Sequence, residues 1–232
     1  RSKDSEVQDS REPLHVLHVG KTGGTALNHV LVEHAATACY RLVFGGHSLV
    51  VADVPIGERF MFFIRDPLSR FVSAFNSRLR EGRPRYHYPW RDEEKVAFSI
   101  FRTPNELATA LSAEDSSLRK QAEAAMRGIG HLNTGYSFWF DSESAFAARV
   151  PDLFFIGFQE RLDDDFETLK QRLGLPPEAE LPRGDAAHQA PAGLDTQLGD
   201  TARANLERWY ARDIAFVQRC RELAPGVNAL KA

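Results

Sequence analysis

The residues best suited to chemistry are grouped in Val19-Gly20-Lys21-Thr22-Gly23-Gly24-Thr25-Ala26, a glycine-rich run between an apolar segment and a helical pattern. Glycines let a backbone approach an anion closely, their N–H groups converge, and a following helix adds favourable potential at its N-terminus. Lys21 brings a full positive charge to the same place. Lys21, Thr22, Gly23, Gly24, Thr25 and Ala26 therefore read as a phosphate grip. The nucleoside-triphosphate signature needs a glycine five residues before the Gly-Lys-Thr, where this chain has His15. That counts against a small-molecule kinase, which stays as an alternative beside a non-catalytic nucleotide-binding module.

A second group is Arg65-Asp66-Pro67-Leu68-Ser69-Arg70-Phe71-Val72-Ser73. Asp66 can cap a helix and Pro67 suits its first position. Arg65 then sits at the carboxyl end of a strand, with Ser73 two turns into the helix. Ligands of open α/β sheets bind off such strand ends. Of the eight histidines, His47 follows an apolar strand in Gly45-Gly46-His47-Ser48. A histidine with a pKa of about 6.5 can accept a proton at neutral pH. His15 and His18 read as packed within a strand, and His131 and His188 as loop alternatives to His47. Between residues 78 and 95 arginines alternate with aromatics, so Arg78, Arg85 and Tyr86 are candidates for an acidic or glycan acceptor, with Asn133 beside them.

The elements that must position these residues follow from periodicity. Apolar runs at 14–19, 40–44, 60–64 and 152–158 read as strands, the first as a central one. Helices are expected over 25–36, from Pro67 through Leu79, from Thr103 to about Leu111, over 117–126, from Leu162 to Gly174, and as one piece over 201–223. Residues 178–199 lack periodicity and form a long loop. Strand–helix alternation predicts an α/β protein in three layers: a mostly parallel central sheet with helices on both faces, a P-loop-like nucleotide-binding fold. Residues 1–12 read as a flexible lead-in and 13–232 as a single domain.

The chain has 232 residues and a formal charge of −3, which gives no global attraction for nucleic acid. Its two cysteines, Cys39 and Cys220, make neither a disulfide framework nor a metal cage, and no metal-ligand spacing appears. No apolar run reaches the roughly 20 residues of a membrane span, so no stable membrane insertion is expected of this chain. The expected location is the cytoplasm, the alternative being the lumenal domain of a Golgi enzyme whose anchor has been removed.

In order and spacing, these motifs resemble those of the sulfotransferases that use 3′-phosphoadenosine 5′-phosphosulfate (PAPS). Val19 to Thr25 resembles their 5′-phosphosulfate loop, with Gly20 where proline is common. Arg65 to Phe75 is similar to their 3′-phosphate motif. Phe154-Phe155-Ile156-Gly157-Phe158-Gln159-Glu160-Arg161-Leu162 resembles their late strand–helix unit. The resemblance covers roughly residues 14–223 and is nearest to the glycan branch that includes the heparan sulfate 2-O- and 6-O-sulfotransferases. It implies PAPS as co-substrate, adenosine 3′,5′-bisphosphate (PAP) as product, no metal, and a carbohydrate, glycolipid or other hydroxyl-bearing acceptor. It implies further that Lys21 to Ala26 hold the 5′-phosphate, that Arg65 and Ser73 hold the 3′-phosphate, and that His47 is the base, with Lys21 neutralising the leaving oxygen. The loop Arg183 to Gly199 is poor in lysine, where relatives carry lysine and threonine for the 3′-phosphate.

Overall fold

A computed structural model describes residues 9–183 and 192–229. Its strands are β1 (Pro13–Leu17), β2 (Arg41–Phe44), β3 (Arg59–Ile64) and β4 (Leu153–Phe158), all parallel in the order β2–β1–β3–β4. β1 is central: His15 pairs with Val43 on one side and Phe60 on the other. Side chains alternate across the sheet. Phe60, Phe62 and Ile64 enter one apolar cluster with α6 (Ser137–Phe140), α7 (Glu143–Arg149) and α10 (Ala211–Asn228). Met61 and Phe63 enter another with α1 (Gly24–Glu33) and α8 (Leu162–Leu173). Helices thus cover both faces, giving the expected three-layer α/β architecture.

A third apolar cluster joins α2 (Pro67–Leu79), α3 (Asp92–Ile100), α4 (Pro104–Ala110), α5 (Ser116–Gly128) and α9 (Asp200–Trp209) around Phe75, Phe98, Leu107 and Leu206. The single terminal helix expected over 201–223 is broken at Tyr210, which leaves helical geometry at φ −99 and ψ 23. The break lets Leu206 face this helical cluster while Val217 and Cys220 face the sheet, which one straight stripe could not do. α3, for which no helix was expected, begins within the basic and aromatic stretch 78–95 and runs beyond it to Ile100. Its acidic first turn, Asp92-Glu93-Glu94, suits a helix N-terminus. Within the expected lead-in, residues 1–8 lie outside the described residues, and Arg11 donates to the carbonyls of Ala35 and Ala38 at 3.0 and 2.7 Å. His188 and residues 184–191 of the late loop are also outside them.

Candidate active site

The chain leaves β1 at Leu17, so His18 lies beyond the strand and turns to the cleft above it rather than packing within the sheet. Lys21 and Gly23 then adopt left-handed backbone at φ 67 and φ 85, and α1 starts at Gly24. The lysine pays backbone strain that glycine would avoid. The first turn of α1 has neither a capping side chain nor an acidic residue, so its N–H groups stay free for an anion. Gly24 is required by its neighbour, since a Cβ there would lie 2.6 Å from the His18 Cδ2. Thr22 behaves differently from the expectation. Its side chain is buried and its hydroxyl donates to the Val19 carbonyl at 2.9 Å, closing the loop instead of facing the cleft.

β3 runs into α2, whose N-terminus is capped by Asp66 accepting from the Ser69 N–H at 2.9 Å. The Arg65 backbone N–H donates to the Tyr136 hydroxyl at 3.0 Å, and its Nε donates to Ser69 Oγ at 2.7 Å. These bonds fix the guanidinium at the strand's carboxyl end, on the cleft that Ser73 also lines. Arg70, one turn on, is buried: its Nε donates to the Gly20 carbonyl at 2.9 Å and its Nη1 to that of Thr134 at 2.8 Å. It lies over the rings of Tyr136 and Trp139, and so ties the glycine-rich loop to the loop before α6. Its place on the helix that follows Arg65 was readable in the sequence; its partners, far along the chain, were not.

The cleft has a volume of about 1230 Å³ and gathers residues from the loop after β1, the turn after β2, α2 and the segment after β4. Lys21, Arg65, Arg80 and Arg85 line it, and among the described residues none of the four has a carboxylate at ion-pair distance. Burial, with Arg85, Arg80, Arg65 and Arg70 adding repulsion, lowers the Lys21 pKa to about 8. Burial likewise lowers that of Arg65, against the opposing pull of Glu160. Concentrated, poorly hydrated positive charge of this kind is relieved by an anion.

Three histidines line the same cleft. His47 stands on the exposed turn Gly46–Ser48 after β2, with its ring centroid 3.9 Å from that of His18. Burial and the neighbouring His47 depress the His18 pKa to about 4. His131 has left-handed backbone at φ 68 and packs against Gly20, where a Cβ would lie 3.2 Å from its Nδ1. Burial, Lys21, Arg70 and His47 drive its pKa down to about 3. His15, in contrast, is spent on Glu58 at 2.6 Å.

Of the expected acceptor residues, Arg85 and Tyr86 line the cleft. Arg78 does not: it is buried in a bidentate pair with Glu94, both contacts at 2.7 Å, and its Nη1 donates to the Tyr88 carbonyl. Arg78 instead braces the loop that carries Arg85 and Tyr86. Asn133 is exposed, accepts from the Thr134 hydroxyl and lies off the cleft. Arg80 and His18, which the sequence reading did not select, are on it.

A parallel sheet whose strand ends meet an open helix N-terminus and unpaired cations defines an anion-binding α/β protein. The profile of the sulfotransferase family matches residues 7–216, and the chain belongs to that family. It is thus a transferase of sulfuryl groups. No curated protein and no solved structure matches the chain. Among the described residues, no helix is long and apolar enough to cross a membrane.

Proposed function

We propose that the chain moves the sulfuryl group of PAPS to a hydroxyl of a carbohydrate or glycolipid. The observation that carries this reading is the set of cleft cations, Lys21, Arg65, Arg80 and Arg85, unpaired with carboxylate among the described residues beside the open N-terminus of α1. That donor set suits a nucleotide with anionic groups at both ends. The N–H groups of residues 24–26 and Lys21 would hold the 5′ end, and Arg65 with Ser73 the 3′-phosphate that distinguishes this donor from ATP. PAPS supplies an activated sulfuryl group, displaced in line through a loose transition state as negative charge returns to the leaving phosphate oxygen.

Catalysis of such a displacement is mainly positioning and charge stabilisation. Lys21 faces the developing charge, and the bonds from Arg70 to Gly20 and Thr134 keep its loop from reorganising. His47, on the cleft wall, accepts the proton of the acceptor hydroxyl as that oxygen attacks. Arg85 and the exposed Tyr86 ring offer charge and an apolar face to a sugar. Calorimetry tests the donor assignment: PAP should bind without Mg²⁺ and more tightly than 5′-AMP. Tight binding of ATP that depends on Mg²⁺, without PAP binding, would overturn it in favour of a kinase.

A further inference from the structure

His47 projects from an exposed turn, and its ring nitrogens have no hydrogen-bond partner among the described residues. A catalytic base needs a group that orients it. What touches the ring is His18, with centroids 3.9 Å apart and planes inclined by 32°. His18 is itself confined. The Asn28 Nδ2, on α1, lies 3.3 Å from its Nδ1, and the start of α1 packs against its other edge, where only the missing side chain of Gly24 leaves room.

We infer that His18, held by Asn28, is a positioning residue for His47: its ring face orients the base. The inference rests on the reading of His47 as base. Burial supports it by keeping His18 uncharged through the neutral range. The cleft also brings Lys21 from the glycine-rich loop, His131 from the loop before α6, Arg65, Arg80 and Arg85, and, from the segment after β4, the carboxylates Glu160, Asp163 and Asp164. His131 is within electrostatic reach of His47 and is itself kept neutral by burial and by Lys21. The first turn of α1 adds no acidic residue. Among the described residues no carboxylate is hydrogen-bonded to His47, as one is to the histidine of a serine-protease triad; the tilted imidazole of His18 lies against the ring instead.

Histidine-ring NMR of the full chain with PAP bound tests this without any acceptor. In the wild type, the His47 C–H signals should report one ring orientation, with cross-peaks to the His18 ring. His18→Ala should lose that order, while His18→Phe, which keeps a flat ring, should retain it. In transfer from PAPS to desulfated heparan polysaccharide, His18→Ala should lower kcat about 10²-fold with the KM for PAPS unchanged, as misplacement of a reacting group does. His18→Phe should recover most of that loss, and Asn28→Ala should show a smaller loss of the same kind. If His18→Ala does not fold, His18→Phe and Asn28→Ala carry the test through the His47 signals. A His47 ring equally ordered in wild type and His18→Ala, or no loss of order in Asn28→Ala, overturns the inference. So does a full kcat in His18→Ala. If instead His47→Ala keeps full turnover, the assignment of His47 as base fails first, and the His18–His47 ring contact would still be read by NMR.

Discussion

Replacing Lys21 by methionine removes the charge that burial and four arginines make hardest to keep. In the folded protein the ammonium pKa falls from the ordinary 10.5 to about 8, chiefly through burial. That difference corresponds to about 3 kcal/mol of preference against the charged form. Because the folded value lies below the unfolded one, the penalty is fully present below about pH 8 and is relieved as pH rises from there to 10.5. Lys21→Met should therefore stabilise the free protein at pH 7 by about 1–3 kcal/mol. The same change should weaken PAP binding about 10–100-fold, since a bond to a charged group is worth about 1.5–3 kcal/mol.

Proton linkage makes the test specific to this lysine. A bound phosphate restores the ammonium, so wild type should take up about half a proton per PAP at pH 8. The ligand's own second ionisation, with a pKa of about 6, is complete by then. Above pH 8 the affinity of wild type should fall about tenfold per pH unit until the ordinary lysine range is reached. Calorimetry at pH 8 in buffers of different ionisation enthalpy reads the uptake, and Lys21→Met should show none. Wild type without proton uptake, or a variant with equal uptake, would refute the view that an anion rests on a desolvated Lys21.

Three other substitutions address the remaining parts of the site. His47→Ala should lower turnover about 10²–10⁴-fold while PAP affinity, read by calorimetry, barely changes. Arg65→Ala should abolish the preference for PAP over 5′-AMP, measured as the ratio of their dissociation constants, because the 3′-phosphate loses its cation. Glu94→Gln leaves Arg78 buried and unpaired, and should cost about 3–5 kcal/mol in denaturant unfolding. Burial favours protonation of Glu94, but the bonds from Arg78 and the Gly130 and Arg91 N–H groups outweigh it and hold the pKa at about 2. Its folded value is thus below the unfolded one, so its stabilisation holds above pH 4.5 and should be lost between pH 4.5 and 2 in wild type but not in the variant.

What the sequence made legible was local. The glycine-rich turn after an apolar strand, and Asp66-Pro67 after another, name their own geometry, so Lys21 and Arg65 were found with the elements that carry them. What it concealed depends on partners distant in the chain. Arg78 looks like a free arginine among basic neighbours until Glu94, sixteen residues on, folds back on it. His18 alternates correctly for a core strand, and only the early end of β1 turns it to the cleft. Arg70 reads as a polar-face residue because the carbonyls it reaches, Gly20 and Thr134, belong to other loops. The break at Tyr210 is hidden for a related reason: the stripe is continuous in sequence, yet its two halves serve different clusters.

Transfer of labelled sulfate from PAPS to a panel of carbohydrate and glycolipid acceptors, with products mapped by mass spectrometry, bears most directly on the proposed reaction. Wild type should place label on an acceptor hydroxyl and release PAP in equal amount, with His47→Ala nearly inactive. Stoichiometric PAP binding with no label on any acceptor would contradict sulfuryl transfer to glycans and leave a nucleotide-binding module in its place.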